Sequence, residues 1–312
     1  MGPDLETAHR LVTVLLNVAV AVLTGATLAC SWLAHGSSRW AEMRRRPLRG
    51  FALAGAFVAL AADVAWLWFE SARMAEVPLV AAGSATWTMA TSTHLGLAWC
   101  VGFAGLALAA VRAFVRNERG AWPTAATMAG LAVFWYTRSM ASHAASDGDF
   151  GARLLADWVH LGLVSLWVGE VIVSGAIMLR ATGDMTSADR RARAAYVTAL
   201  SNSATFALAG IVVTGLYATW HNIRSFDDLI GNPYGNTLVA KLLLVAVAAL
   251  LGGVNRFFVM PPWLAREAAG DSAAPALPRR FRHVVWIEAA VLLAVVAAAA
   301  WLVSTSPPGE QM

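Results

Sequence analysis

The chain has 312 residues, of which 58% are hydrophobic and only 13% charged, with 14 tryptophans and a mean hydropathy of +0.60. A soluble domain carries about a quarter charged residues, so a soluble enzyme, a disordered tail and a disulfide-stapled secreted domain give way to a polytopic membrane protein. The net charge of +4 and pI near 9.6 come from 22 arginines and the single Lys241, and what matters is where those arginines lie.

In chain order, the acidic start MGPDLETAHR lacks a cleavable signal pattern, so the first apolar segment is expected to remain as a span. Apolar segments run over about 11–34, 49–70, 84–112, 122–143, 154–179, 196–221, 236–259 and 284–304. Each can cross a hydrocarbon core of about 30 Å as a helix. The connections are short, so residues 1–312 are expected to form one transmembrane domain without a soluble one. The expected fold class is all-α, a membrane bundle of eight helices. Seventeen arginines sit in loops after the first, third, fifth and seventh segments, against five on the other side. The positive-inside rule then places both termini in the periplasm.

Ionisable groups inside spans are expensive and need a partner or a task. Of the seven histidines, His9 is N-terminal, and His35 and His283 sit at the arginine-rich helix ends. The other four gather toward the opposite side. His143 and His221 fall at the ends of the fourth and sixth segments, His160 lies deeper in the fifth, and His94 is expected near the midplane of the third. Met140 precedes His143 by three residues and Asp157 precedes His160 by three, so each pair shares a helix face. A carboxylate beside a histidine can fix the tautomer of a metal-bound imidazole. Imidazole with thioether suits copper better than hard cations. The metal candidates are therefore His94, His160, His143, His221 and Met140, with Asp157 and Asp63 tuning charge. A satisfied interhelical hydrogen bond is the plainer role for His94 and His160, and an interfacial position for His143 and His221. Asp63 could equally pair with Lys241, and Glu170 and Glu288 are expected to pair with loop arginines.

His94-Leu95-Gly96-Leu97 and His160-Leu161-Gly162-Leu163 echo one another in helices expected to run the same way. Cys30 and Cys100 lie inside apolar segments and form no metal or redox motif. No Walker motif, phosphorylated-aspartate motif or nucleophile–base set is present, which argues against an enzyme or an ATP-driven pump, and against nucleotide or nucleic-acid partners.

Asp157-Trp158-Val159-His160-Leu161 followed by Leu166-Trp167-Val168-Gly169 resembles the D-x-x-H…W-x-G-G stretch of the copper resistance D (CopD) family. Ser142-His143-Ala144-Ala145, Ser201 to Thr214-Gly215, Pro233-Tyr234-Gly235 with Lys241-Leu242, Asn255-Arg256 and Glu288 resemble further family segments in order, across about 140–305. Glu170 departs from the pattern, standing where the family usually has glycine. The resemblance implies copper homeostasis or resistance at the bacterial inner membrane, usually described as uptake from periplasm to cytoplasm. Copper, as Cu(I) or Cu(II), is the implied metal, and the lipid bilayer the surrounding partner. A periplasmic copper-binding partner would be a separate protein. Two other functions fit the residues: a b-type cytochrome with haem between His94 and His160, and a non-transporting assembly or sensor partner.

Overall fold

The structure, a computed structural model, describes residues 3–34, 38–114, 121–142, 148–222, 232–269 and 276–305. Among them the regular structure is helical: α1 Pro3–Leu33, α2 Arg39–Met74, α3 Gly83–Ser92, α4 His94–Phe114, α5 Ala121–Met140, α6 Ala152–Val173, α7 Ser187–Asn222, α8 Pro233–Val254, α9 Met260–Ala268 and α10 Ala276–Val303. A short 3₁₀ turn, Leu79–Ala81, precedes α3. Two π-helical turns, Ser174–Met178 and Asn255–Val259, prolong α6 and join α8 to α9.

Among the described residues, seven helical stretches are long and apolar enough to cross a membrane: Leu5–Leu33, Arg39–Met74, His94–Val111, Ala152–Met178, Ser187–His221, Pro233–Ala268 and Ala276–Val303. The expected eighth, α5, falls outside that set. Its 20 residues include Pro123, three threonines and Arg138, which dilute its hydropathy. It nonetheless packs between α4 and α6.

Helices in lipid gain little from the hydrophobic effect and associate through close packing, which small residues permit. Ala152–Met178 is the most enclosed of these spans, with 67% of its apolar stretch buried, and Pro233–Ala268 the least, with 11%. α1 lies against both α2 and α6. Its Gly25 meets Gly169 of α6 so closely that a Cβ on Gly25 would stand 2.2 Å from the Gly169 carbonyl carbon. Only glycine permits this backbone approach.

The segment 84–112, expected as one span, is broken. Thr93 is extended (φ −118°, ψ 152°) and separates the ten-residue α3 from α4. Its hydroxyl accepts from Gly96 N–H at 3.0 Å, an N-cap that starts a new helix at His94. α3 then lies back on α4, where a Cβ on Gly96 would fall 1.8 Å from the Met89 carbonyl oxygen.

At the arginine-rich end, charged side chains tie loops to helices. The Asp189 carboxylate accepts from Trp40 N–H at 2.7 Å. Arg44 donates to the Arg180 carbonyl at 2.8 Å and to Thr182 Oγ1 at 2.7 Å. Arg193 and Glu267 form an ion pair, and Arg282 donates to the Gly175 carbonyl at 3.3 Å. The buried glutamates take other partners. Glu170 accepts from Ser203 and Glu288 from Trp167, in place of the loop arginines expected for them. Among the described residues no arginine pairs with either carboxylate; nearby Arg256 and Arg282 are engaged by Ser201 and the Gly175 carbonyl.

Candidate metal site at the histidine end

His160 stands on α6 about 12 Å of helix rise from Ala152, at 1.5 Å per residue. Its Nδ1 lies 2.8 Å from Thr214 Oγ1 on α7. The Thr214 hydroxyl already donates to the Gly210 carbonyl at 2.7 Å. A hydroxyl has one proton to give, so toward His160 the Thr214 oxygen accepts and Nδ1 carries the hydrogen. The Nε2 lone pair is thereby left as the ring's ligating atom, without a hydrogen-bond partner among the described residues. Gly215, next on α7, leaves room beside the ring: a Cβ there would lie 3.8 Å from His160 Cε1.

His221 shares this preparation. It lies on α7 seven residues beyond Thr214, two turns along the same face. Its Nδ1 donates to the Tyr217 carbonyl at 3.0 Å, and the two rings pack at 4.4 Å. A carbonyl only accepts, so this imidazole too carries its hydrogen on Nδ1 and offers Nε2. His221 is exposed, whereas His160 is half-buried.

Asp157 lies one turn from His160 on α6 but does not hold its ring; Thr214 does. Asp157 instead accepts from Ser142 Oγ at 3.3 Å and faces the charges of Lys241 on α8 and Arg138 on α5. Lys241 faces His160 as well. The long lysine therefore belongs to the Asp157–His160 group, and the alternative pairing of Asp63 with Lys241 is replaced. Asp63 faces Arg138. It is 1% exposed, and neither carboxylate oxygen has a hydrogen-bond partner among the described residues. Asp63, Trp66, Trp99 and Arg138 line a cavity of about 10 Å³, room for about one water molecule. The Arg138 guanidinium stacks 4.0 Å over the Trp66 ring.

His94 is not at the midplane. As the first residue of α4 it stands at a helix start, with a side chain 66% exposed, and its Nε2 lies 3.0 Å from Asp149 Oδ2. Asp149 precedes α6, and its carbonyl accepts from Tyr136 Oη at 2.6 Å. The break at Thr93 removes the ten residues that would have carried His94 inward. The sequence echo between His94 and His160 thus joins two unlike positions, a helix start and a helix interior. The pair that haem would need is likewise engaged separately, His94 by Asp149 and His160 by Thr214.

Met140 ends α5, half-buried, and His143 lies outside the described residues. Among the described residues no three His, Cys, Asp or Glu side chains converge as a ready metal cluster. The arrangement is a series of single imidazoles, two at the rim (His94 and His221) and one deeper (His160). Arg138 and Thr214 are the side chains beside these candidates that the sequence alone does not single out. In the sequence Arg138 is one of the five arginines on the sparser side, and Thr214 is one residue of a longer motif.

Residues 5–152 match the family model for the copper resistance protein D-like N-terminal domain, and residues 194–302 that for copper resistance protein D. The likeness therefore extends through the first half of the chain as well as the second. His94, Met140 and Asp63 fall in the first stretch and Thr214, His221 and Lys241 in the second, with Asp157 and His160 between them. Copper resistance protein D of Pseudomonas syringae pv. tomato is 28% identical over 250 residues, covering 78% of this chain and 75% of that protein. Copper transport protein CutJ of Bacillus subtilis strain 168 is 28% identical over 118 residues, 38% of this chain and 21% of that protein. No solved structure matches the chain.

Proposed function

Because the chain belongs to the copper resistance D family of multi-pass proteins of the bacterial inner membrane, we propose that it carries copper from periplasm to cytoplasm through the histidine end of its bundle. α5 makes the eighth crossing in this reading. Both termini are periplasmic, with the seventeen-arginine side in the cytoplasm.

Copper meets the rim imidazoles first. His221 offers Nε2 to the outside, Met140 and His94 widen the capture zone, and His143, outside the described residues, is assigned to it from its place in the sequence. The ion then passes inward to His160. Soft or borderline donors suit copper and discriminate against the harder, more abundant cations. Asp157 lends negative charge beside the site while the nearby Lys241 offsets it, so an arriving cation meets attraction without a deep trap. A separate periplasmic copper-binding protein delivers the ion. The bundle performs no covalent chemistry.

The observation that carries this reading is the fixed His160 ring, whose Nδ1–H is held by Thr214 and whose Nε2 is left open. Its test is copper accumulation in cells, and copper binding by purified protein, for His160→Ala combined with His221→Ala. Both measurements should fall well below wild type at equal expression. Unchanged binding and accumulation would sink the assignment.

A further inference from the structure

Beyond His160, the same face of α6 carries Trp167, Glu170 and Ser174, at steps of seven, three and four residues. These point toward the arginine-rich half. Glu170 is 1% exposed; its Oε1 accepts from Ser203 Oγ at 2.5 Å, while its Oε2 is buried with no partner among the described residues. Glu288 on α10 is 4% exposed and accepts from Trp167 Nε1–H at 3.0 Å. One turn on from Glu170, Ser174 and Tyr196 share a hydrogen bond of 2.7 Å.

No arginine or lysine forms an ion pair with either glutamate among the described residues. Arg256 is taken by Ser201 and Asn202, and Arg282 by the Gly175 carbonyl. Lys241 faces Asp157 and His160 at the other end. The groups packed around Glu170 are Ser203 and Tyr196 from α7 and the backbone at Gly25 of α1. Those around Glu288 are the Trp167 indole and the Gly252 backbone of α8. Tyr196 faces Cys30 as well as Glu170.

A carboxylate buried at this depth without a counter-charge is expensive, and a neutral acid is not. From Trp167 to Ser174 this face of α6 has no imidazole, thiol or thioether of its own, and Cys30 across from Tyr196 is a lone soft donor, so the group is ill suited to copper. A hard cation would need about six oxygens, and here each carboxyl oxygen meets at most one donor. The ion that single buried carboxyls do accommodate is the proton.

We propose that Glu170 and Glu288 are proton-carrying acids that release protons and reload as copper passes, so that copper movement is coupled to proton movement. The coupling rests on the copper-transport reading above; the acids themselves do not. No bond other than O–H is made or broken, and the released proton passes to water on one side and is regained from the other.

The test uses the full chain reconstituted in vesicles containing a trapped pH dye. Copper added outside wild-type vesicles should enter together with a proton signal. Glu170→Gln and Glu288→Gln should each keep copper binding and lose that signal, and either variant suffices if the other does not fold. Infrared difference spectra of copper-free protein read the acids directly: the carbonyl band of protonated carboxylic acid should weaken in each variant. No such weakening, or a Glu170→Gln/Glu288→Gln double variant with a wild-type proton signal, overturns the proposal. Wild-type protein that shows the band but takes up no copper defeats the transport reading and the coupling built on it, and leaves the acids standing.

Discussion

Thr214 accepts a hydrogen bond from His160 because its own hydroxyl proton is already spent on the Gly210 carbonyl. One helix thus dictates which nitrogen of a neighbouring helix's imidazole faces a metal. Partners of this kind commonly change metal affinity by about 10–100-fold when lost. Thr214→Val should therefore weaken copper binding by about that factor while leaving the fold intact, and Thr214→Ser should restore it. Competition with a chromophoric Cu(I) chelator measures both.

The rim and the deeper imidazole should separate kinetically. His221→Ala should slow uptake at low copper and spare it at high copper, because an exposed capture ligand acts through encounter. His160→Ala should depress uptake at every concentration. A concentration series of radiocopper uptake distinguishes the two patterns. Identical profiles for the two variants would contradict the order in which copper meets them.

Copper binds imidazole through a neutral nitrogen, so protons compete for Nε2. Binding should therefore be present in neutral solution and fall as pH is lowered, with copper released rather than protein unfolded. Equilibrium dialysis alongside circular dichroism over the same pH series checks both halves of that statement.

Arg138 faces Asp63 without a direct ion pair, and among the described residues no other cation is close to that carboxylate, so removing Arg138 leaves a buried charge uncompensated. Arg138→Met should lower the thermal stability of the detergent-solubilised protein markedly. Adding Asp63→Asn to that variant should recover part of the loss, since it removes the stranded charge. Additive losses would mean the two residues do not act on one another.

Gly25→Ala places a methyl within 2.2 Å of backbone on α6, an overlap that only helix separation relieves. Overpacking of this kind costs about 1–3 kcal/mol. A lower unfolding temperature is expected, with copper affinity at the distant His160 less affected.

Hydropathy alone located the long helices, because each span had to be apolar over nearly its whole length. It also merged α3 with α4: Thr93 is one polar residue in an apolar run, and nothing in periodicity shows that its hydroxyl caps a new helix. His94 moved from midplane to rim for that reason alone. His160 and Asp157 were legible as costly polar residues, but their partners were not. Thr214 bonds to His160 and the charges of Lys241 and Arg138 face the pair from other helices, and such neighbours depend on packing between segments far apart in sequence. Glu170 and Glu288 show the same limit. Their burial depends on how far α6 and α10 lie inside the bundle, which the arginine count in neighbouring loops does not record.

Only 11% of the apolar stretch in the span Pro233–Ala268 is buried, which leaves α8 a wide face for lipid tails. For such a helix the bilayer selects polarity and is indifferent to shape. Leu243, Val247 and Leu250, all exposed, can exchange freely among aliphatic residues, as the fluid around them adapts to any contour. A single polar replacement at these places would face hydrocarbon with no partner. Mutational tolerance along α8 should therefore follow hydrophobicity almost alone, and Lys241 should stand out as the position where that rule is reversed.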